Sequence, residues 1–226
     1  MRIITGIYKG RRFDIPRSFK ARPTTDFAKE NIFNVLNSYI DLEGVRALDL
    51  FAGTGSISLE LLSRGCSQVV SVEADRDHAR FIGECVRKLG VTNHQLIRGD
   101  VFRYLKSAQK SSTLTRGSAA LPLEHRDAVA IERGSAALNA AQQHLNRGAA
   151  AIERPDRGRA VSFIFADPPY ALSNLPDIPD LVLQSGILAP GGVFVFEHGK
   201  QNDFSSHPCF REHRAYGSVN FTIFTT

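Results

Sequence analysis

The chain has 226 residues, 42% of them apolar, and a net charge of +5, enough for one good-sized core and an appendage at most. No apolar run approaches the ~18 residues of a membrane span, and Met1 to Arg12 carries no apolar h-region, so no signal peptide is expected. The three cysteines (Cys66, Cys85, Cys209) are widely spaced and form no CxxC pair, which predicts a reduced, cytoplasmic protein with no metal site.

The charge is unevenly placed. Residues 1–29 hold eight Lys/Arg (Arg2, Lys9, Arg11, Arg12, Arg17, Lys20, Arg22, Lys29) against Asp14 and Asp26, so the remaining chain is nearly neutral. A basic arm on a neutral body is the footprint of a polyanion partner; the plainer reading is a solvated terminus. Residues 2–15 alternate roughly (Ile3, Ile4, Ile7, Phe13, Ile15) around Gly6 and Gly10, which predicts a short hairpin with its tip at Tyr8 to Arg12. Pro16 to Pro23 is read as a loop. Thr25 is then placed to cap a helix with Asp26 in its first turn. That helix is expected to reach about Ile40, with Ala28, Ile32, Val35, Leu36 and Tyr39 on one core-facing stripe.

Val45 to Phe51 reads as a buried strand, followed by Ala52-Gly53-Thr54-Gly55 and a helix from Ser56 to about Arg64, stopped by Gly65. Strand, glycine turn and helix make a nucleotide-binding unit, because glycine lets the backbone approach a ligand and the helix start offers free N–H groups. A second strand, Gln68 to Val72, ends in Glu73, twenty residues past Gly53. A carboxylate at that spacing suits the two hydroxyls of a ribose. A helix with Ala79, Ile82, Val86 and Leu89 on one face follows, closed by Gly90, and a third strand, His94 to Arg98, leads to Gly99-Asp100-Val101. Three strands ending in an acid beside small residues point to a nucleoside-shaped ligand. The turn is not a full dinucleotide fingerprint, since Ser58 stands where GxGxxG needs its last glycine, and no Lys-Ser/Thr follows for a phosphate loop. Ribose and adenine without pyrophosphate fit better, as in S-adenosylmethionine.

Residues 107–160 differ in character. Arg116-Gly-Ser-Ala-Ala-Leu121 recurs at Arg133 to Leu138 and loosely at Arg147 to Ile152, in a stretch rich in Ala, Arg and Gly. A low-complexity insertion is expected, helical over about Ala136 to Leu145 and largely mobile. Its eight basic and five acidic residues leave an RNA-contacting arm as the alternative to an inert insertion.

Phe163-Ile164-Phe165 then reads as a buried strand halted at Asp167-Pro168-Pro169-Tyr170. Two prolines fix φ and remove two donors, so the chain leaves the sheet in a stiff extended form. One carboxylate, one proline carbonyl and one ring thus stand at a strand's C-terminal edge, where open α/β sheets bind ligands. Two acceptors beside a flat ring suit a nucleobase amine; the plain alternative is a strand end with a Pro turn. A short helix (about Asp180 to Ser185), a strand (Val193 to Glu197) and a closing antiparallel pair (Phe210 to His213, Val219 to Phe224) complete a doubly wound α/β domain.

These features resemble the class I S-adenosylmethionine-dependent methyltransferases, and more closely the RsmD family of bacterial 16S rRNA guanine-N2 methyltransferases. The matching residues are Arg2-Ile3-Ile4-x-Gly6, Lys9-Gly10-Arg11, Arg22-Pro23-Thr24-Thr25-Asp26, Glu30-x-x-Phe33-Asn34, Asp49-x-Phe51-Ala52-Gly53-Thr54-Gly55, Glu73 and Asp167 to Tyr170. The similarity spans nearly the whole chain outside about 107–160, and the opening arm with RPTTD is its most specific part.

The resemblance implies a Rossmann-like, seven-stranded methyltransferase sheet over residues 41–226, preceded by a basic hairpin and helix (1–40) acting as a substrate and cofactor lid. It implies S-adenosyl-L-methionine at Asp49, Phe51, Ala52, Gly53, Gly55, Glu73, Asp100 and Val101, with Glu73 on the ribose and Asp100 and Val101 on the adenine. Arg22, Thr24 and Thr25 would fold over the cofactor's methionine end. Asp167, Pro168, Pro169 and Tyr170 would be catalytic: Asp167 and the Pro168 carbonyl hold the target amine and Tyr170 stacks on the base. Lys9, Arg11 and Arg12 would contact RNA, the partner being 16S rRNA in the small ribosomal subunit or an assembly intermediate, with the enzyme a monomer. Glu197-His198 departs from a more acidic run in the family, which leaves the role of Glu197 open. The motif suits adenine amines equally, so a DNA adenine-N6 methyltransferase is a rival reading. A nicotinamide oxidoreductase is disfavoured by Ser58, and a non-catalytic RNA-binding protein is the third alternative.

Overall fold

A computed structural model describes residues 1–19, 25–116 and 160–226, with side chains of 110–116 excepted. The predicted helix at 136–145, most of the predicted insertion, and Arg22 and Thr24 therefore lie outside the described residues.

Seven strands form one sheet: β1 (Arg46–Leu50), β2 (Gln68–Glu73), β3 (His94–Arg98), β4 (Val161–Ala166), β5 (Leu188–His198), β6 (Phe210–Tyr216) and β7 (Val219–Thr225). Their order is β3-β2-β1-β4-β5-β7-β6. The first five run parallel, and β7 inserts antiparallel between β5 and β6. The strand order reverses between β1 and β4, and such a switch point opens a crevice at the strand ends. The doubly wound architecture expected from the strand–helix alternation is the one observed.

Alternation along the strands builds two cores. Ala47, Phe163 and Phe165 face one side with Ile32, Leu59 and Phe81 of helices α1 (Asp26–Leu36), α2 (Ser56–Ser63) and α3 (Arg76–Leu89). Leu48, Leu50, Ile164 and Phe194 face the other, against Val101 and Leu105 of α4 (Val101–Arg116) and Ile178 and Val182 of α5 (Ile178–Gln184). Strands buried on both faces need apolar residues at every position, which is why β1, β4 and β5 read as nearly continuous hydrophobic runs.

Several boundaries differ from expectation. The N-terminal hairpin turns over residues 5–10 rather than at Tyr8 to Arg12, with a single antiparallel bridge between Arg2 and Arg12. The cause is Gly6, whose φ of +87° puts its Cα against α2: a Cβ there would lie 1.8 Å from the Ser63 carbonyl oxygen. Ile7 N–H donates to that same oxygen at 2.8 Å, pinning the turn to the helix. Helix α1 stops at Leu36 instead of Ile40, where Asn37 caps it and 37–39 continue as turns. Helix α4 carries straight through 107–116, the start of the expected insertion. Strand β5 begins at Leu188, not Val193: Val161 pairs with Leu188 and Phe163 already with Val193, so Pro190-Gly191-Gly192 bulges out between them.

Candidate active site

Strands β1, β2, β4 and β5 end around one cavity of about 670 Å³. Its floor is the β1–α2 turn. Phe51 sits at φ +61°, the one non-glycine residue with positive φ among those described, a conformation costing on the order of 1–3 kcal/mol and typical of ligand sites. Gly55 caps α2 at φ +75°, and a Cβ would meet Ile82 Cγ1 at 2.9 Å. Here both conformation and space require glycine.

Asp49, at the end of β1, is buried and lines the cavity. It accepts the Ser58 N–H at 3.0 Å and the Ser58 hydroxyl. The Ser58 hydroxyl also lies 2.6 Å from Ser71 Oγ, and Ser71 Oγ lies 2.7 Å from His94 Nε2. With the carboxylate as final acceptor the run has one polarity: His94 donates to Ser71, Ser71 to Ser58, Ser58 to Asp49. Serine at position 58, a departure from a dinucleotide fingerprint, thus has its own work: it holds the β1 carboxylate. Burial pushes the Asp49 carboxyl up to about 7, opposed by the two Ser58 bonds and reinforced by Glu73. Burial likewise lowers His94 to about 4, so the imidazole is neutral at neutral pH.

Glu73, at the end of β2, is buried and fixed by backbone donors. Gly53 N–H reaches one oxygen at 2.6 Å and Asp75 N–H the other at 2.7 Å. His78 Nδ1 stands 3.7 Å from Glu73 Oε1, and Phe19 packs on the His78 ring at 4.4 Å between centroids. A carboxylate keeps further lone pairs after two such bonds. Clamped at the cavity wall, it can still accept two vicinal hydroxyls, so the residues present fit a ribose. Asp100 and Val101, at the start of α4, stand beside it on the lining.

Asp167, Pro168, Pro169 and Tyr170 close the opposite side of the same cavity. Tyr170 is 41% exposed, while its hydroxyl donates to Glu197 Oε1 at 3.0 Å. Burial, then Glu197 and Asp167, raise the phenol well above its ordinary pKa, so it remains a donor. Thr25 also lines the cavity, while its hydroxyl accepts Ala28 N–H at 3.2 Å as the cap of α1.

The cavity therefore gathers Asp49, Phe51, Ala52, Gly53, Glu73, Asp100, Val101, Thr25 and all four residues of the DPPY segment. Gly55 shapes the turn from behind. Lys9, Arg11 and Arg12 are exposed on the N-terminal hairpin, away from the cavity lining. Sequence reading missed His78, Ser218 and Val219 on the lining, and the Ser58–Ser71–His94 run, whose two serines are buried and whose histidine is half-buried. The serine at 58 was the visible signal for that run; nothing in the sequence links His94 to it.

Nearly the whole chain matches one protein-family model, Conserved hypothetical protein 95, over residues 1–116 and 116–225. It is 41% identical over 202 residues to the Bacillus subtilis protein YlbH, named as a candidate rRNA methyltransferase, covering 89% of this chain and 84% of that one. Escherichia coli ribosomal RNA small subunit methyltransferase D is 34% identical over 112 residues, 50% of this chain and 54% of that protein. Among solved structures, a hypothetical protein from Thermus thermophilus superposes with a TM-score of 0.69 at 24% identity, covering 100% and 99% of the two chains. An O-methyltransferase from Bacillus cereus in complex with SAH gives 0.56 at 12% identity, covering 92% and 84%. At such identities these two likenesses speak for the fold.

Proposed function

The chain belongs to the Conserved hypothetical protein 95 family, the family of RsmD, and from that we propose that it methylates the exocyclic N2 amine of a guanine in small-subunit (16S) rRNA. S-adenosylmethionine is the donor, supplying when bound an electrophilic methyl on a sulfonium. The enzyme acts in the cytoplasm on the small ribosomal subunit or an assembly intermediate. One observation carries the reading: a single cavity holds the clamped Glu73 on one side and Asp167 to Tyr170 on the other. A nucleoside donor and a nucleobase acceptor can then meet between them.

Each residue has a part. Glu73 takes the donor's ribose, Asp100 and Val101 its adenine, and Asp49, Phe51, Ala52 and Gly53 the turn beside it. Thr25, on the cavity lining, stands at the donor's methionine end, and the basic N-terminal arm acts as a lid for substrate and cofactor. An exocyclic amine is a poor nucleophile because its lone pair is delocalised into the ring. Asp167 and the Pro168 carbonyl, by accepting its two hydrogens, favour a pyramidal nitrogen whose lone pair can attack in line. The proton lost from nitrogen after transfer leaves along the hydrogen bond to Asp167. Orientation and preset acceptors account for most of the acceleration. The target base must be unpaired, and Tyr170 replaces its lost stacking, a demand that RNA loops meet at low cost.

The test is transfer of labelled methyl from S-adenosylmethionine to small subunits lacking the native modification, with nucleoside identification. Label in N2-methylguanosine is the expected result. Label in N6-methyladenine of DNA, or RNA binding with no label, would overturn it.

A further inference from the structure

We infer that Glu197 selects guanine: its carboxylate accepts the N1–H of the target base while Asp167 and the Pro168 carbonyl hold the N2 amine. The inference rests on the guanine-N2 reading above and deepens it.

The DPPY segment cannot by itself choose a base, because acceptors for an exocyclic amine suit adenine and guanine alike. A discriminator must read the neighbouring ring position. Guanine presents N1–H beside N2–H₂, so that edge is all donor. Adenine presents N6–H₂ beside an N1 lone pair. A carboxylate facing N1 attracts the first and repels the second.

Glu197 stands where that contact is needed. Ala166 of β4 pairs with Phe196 of β5, so Asp167 and Glu197 leave adjacent parallel strands at the same level. Both line the cavity. They flank the same tyrosine, since both raise the Tyr170 phenol and Glu197 Oε1 accepts its hydroxyl at 3.0 Å. Glu197 is only 4% exposed, and backbone pairing with Phe221 on β7 holds its strand from the far side. An ionised carboxylate offers about four lone-pair sites, and the tyrosine bond orients the group on the cavity lining. A buried carboxylate meeting a lone pair instead of a donor is strongly unfavourable, which makes the contact selective as well as attractive. Tyr170 acquires a second part: its ring stacks on the base and its hydroxyl aims Glu197.

The test uses 2-aminopurine, which keeps the N2 amine and has a lone pair at N1. Small-subunit rRNA carrying guanosine or 2-aminopurine riboside at the methylated position is reconstituted and assayed with wild type, Glu197→Gln and Tyr170→Phe. Wild type is expected to favour guanosine by on the order of 10⁴-fold, as sites built to hydrogen-bond a substrate N–H do. Glu197→Gln should cut that preference at least tenfold, because its amide N–H can meet a lone pair at N1, and Tyr170→Phe should also reduce it. An unchanged preference in Glu197→Gln overturns the inference. Should that variant be inactive on both RNAs, quenching of 2-aminopurine fluorescence on binding replaces transfer. Tighter binding of the 2-aminopurine RNA relative to wild type is then expected, and equal or weaker binding overturns the assignment. Absence of transfer to guanosine by wild type would instead sink the guanine-N2 reading itself.

Discussion

Lys29 Nζ and Glu60 Oε2 lie 3.8 Å apart, and neither side chain has any solvent exposure. The lysine also donates to the Arg2 carbonyl at 2.6 Å and to Ser56 Oγ at 3.0 Å. The glutamate accepts the N–H groups of Ile4 and Thr5 at 2.7 and 3.0 Å and Arg64 Nε at 3.0 Å. One buried ion pair thus ties the N-terminal arm, helix α1 and the first residue of α2 together. Burial lowers the lysine's pKa, and Glu60 is the largest influence opposing it.

Removing the lysine leaves the buried Glu60 charge to Arg64 and two backbone amides and strips the Arg2 carbonyl and Ser56 of their donor. Lys29→Met is expected to cost about 3–5 kcal/mol, seen as a drop of roughly 10 °C in Tm. Adding Glu60→Gln to that variant should restore part of the loss. A Tm within a degree or two of wild type in Lys29→Met would show that the arm is anchored elsewhere.

Asp49 gives a prediction in pH. Its folded pKa, about 7, stands above the ordinary 3.8, so the folded state binds the proton more tightly than the unfolded one. The resulting stability is complete below the unfolded value and is lost as pH rises through about 7. Asp49→Asn, neutral throughout, should therefore gain on wild type between about pH 5 and about pH 8, by on the order of 2–4 kcal/mol. His94 titrates the opposite way, losing stability as pH falls from its ordinary 6.5 through about 4, and it contributes equally to both proteins. Thermal unfolding of the pair at the two pH values checks the sign; a gap that shrinks with rising pH would contradict it.

The sequence carried the sheet because its strands are buried on both faces and punctuated by glycines and acids. Position 73, twenty residues past Gly53, marked a strand-end carboxylate without any view of the backbone clamp that holds it. What the sequence concealed is pairing across distance. Lys29 lies among the helix's apolar residues and looks like a solvated charge; only packing against Glu60, thirty-one residues on, makes it interior. Glu197 was left open because its meaning depends on strand register, which aligns it with Asp167 only when β4 and β5 pair. The hairpin tip was misplaced because Gly6 answers to Ser63 on another element rather than to local turn chemistry.

The two sides of the cavity predict separable defects. Glu73→Ala should weaken S-adenosylmethionine binding by at least tenfold, removing the acceptor for two hydroxyls and freeing the Gly53 and Asp75 amides it clamps. Asp167→Ala should lower transfer by roughly a hundredfold or more while changing cofactor affinity little, since its proposed part is with the target amine. Calorimetric titration with the cofactor beside single-turnover transfer makes the comparison. A large affinity loss in Asp167→Ala would move that residue to the donor side.

The basic arm predicts a salt effect. Lys9, Arg11 and Arg12 are exposed on a hairpin whose root is fixed by Ile3, Gly6 and Phe13, so their charges can be removed without disturbing its packing. Each phosphate neutralised on a flexible strand releases counterions and contributes about −0.7 to the slope of log affinity against log salt. Replacing all three by glutamine should weaken RNA binding and flatten that slope by about 2. Transfer at saturating RNA should stay near wild type, because the three residues stand off the cavity lining. Binding measured over a salt series decides: an unchanged slope would remove this hairpin from the RNA interface, and a loss of transfer at saturation would place it at the chemistry instead.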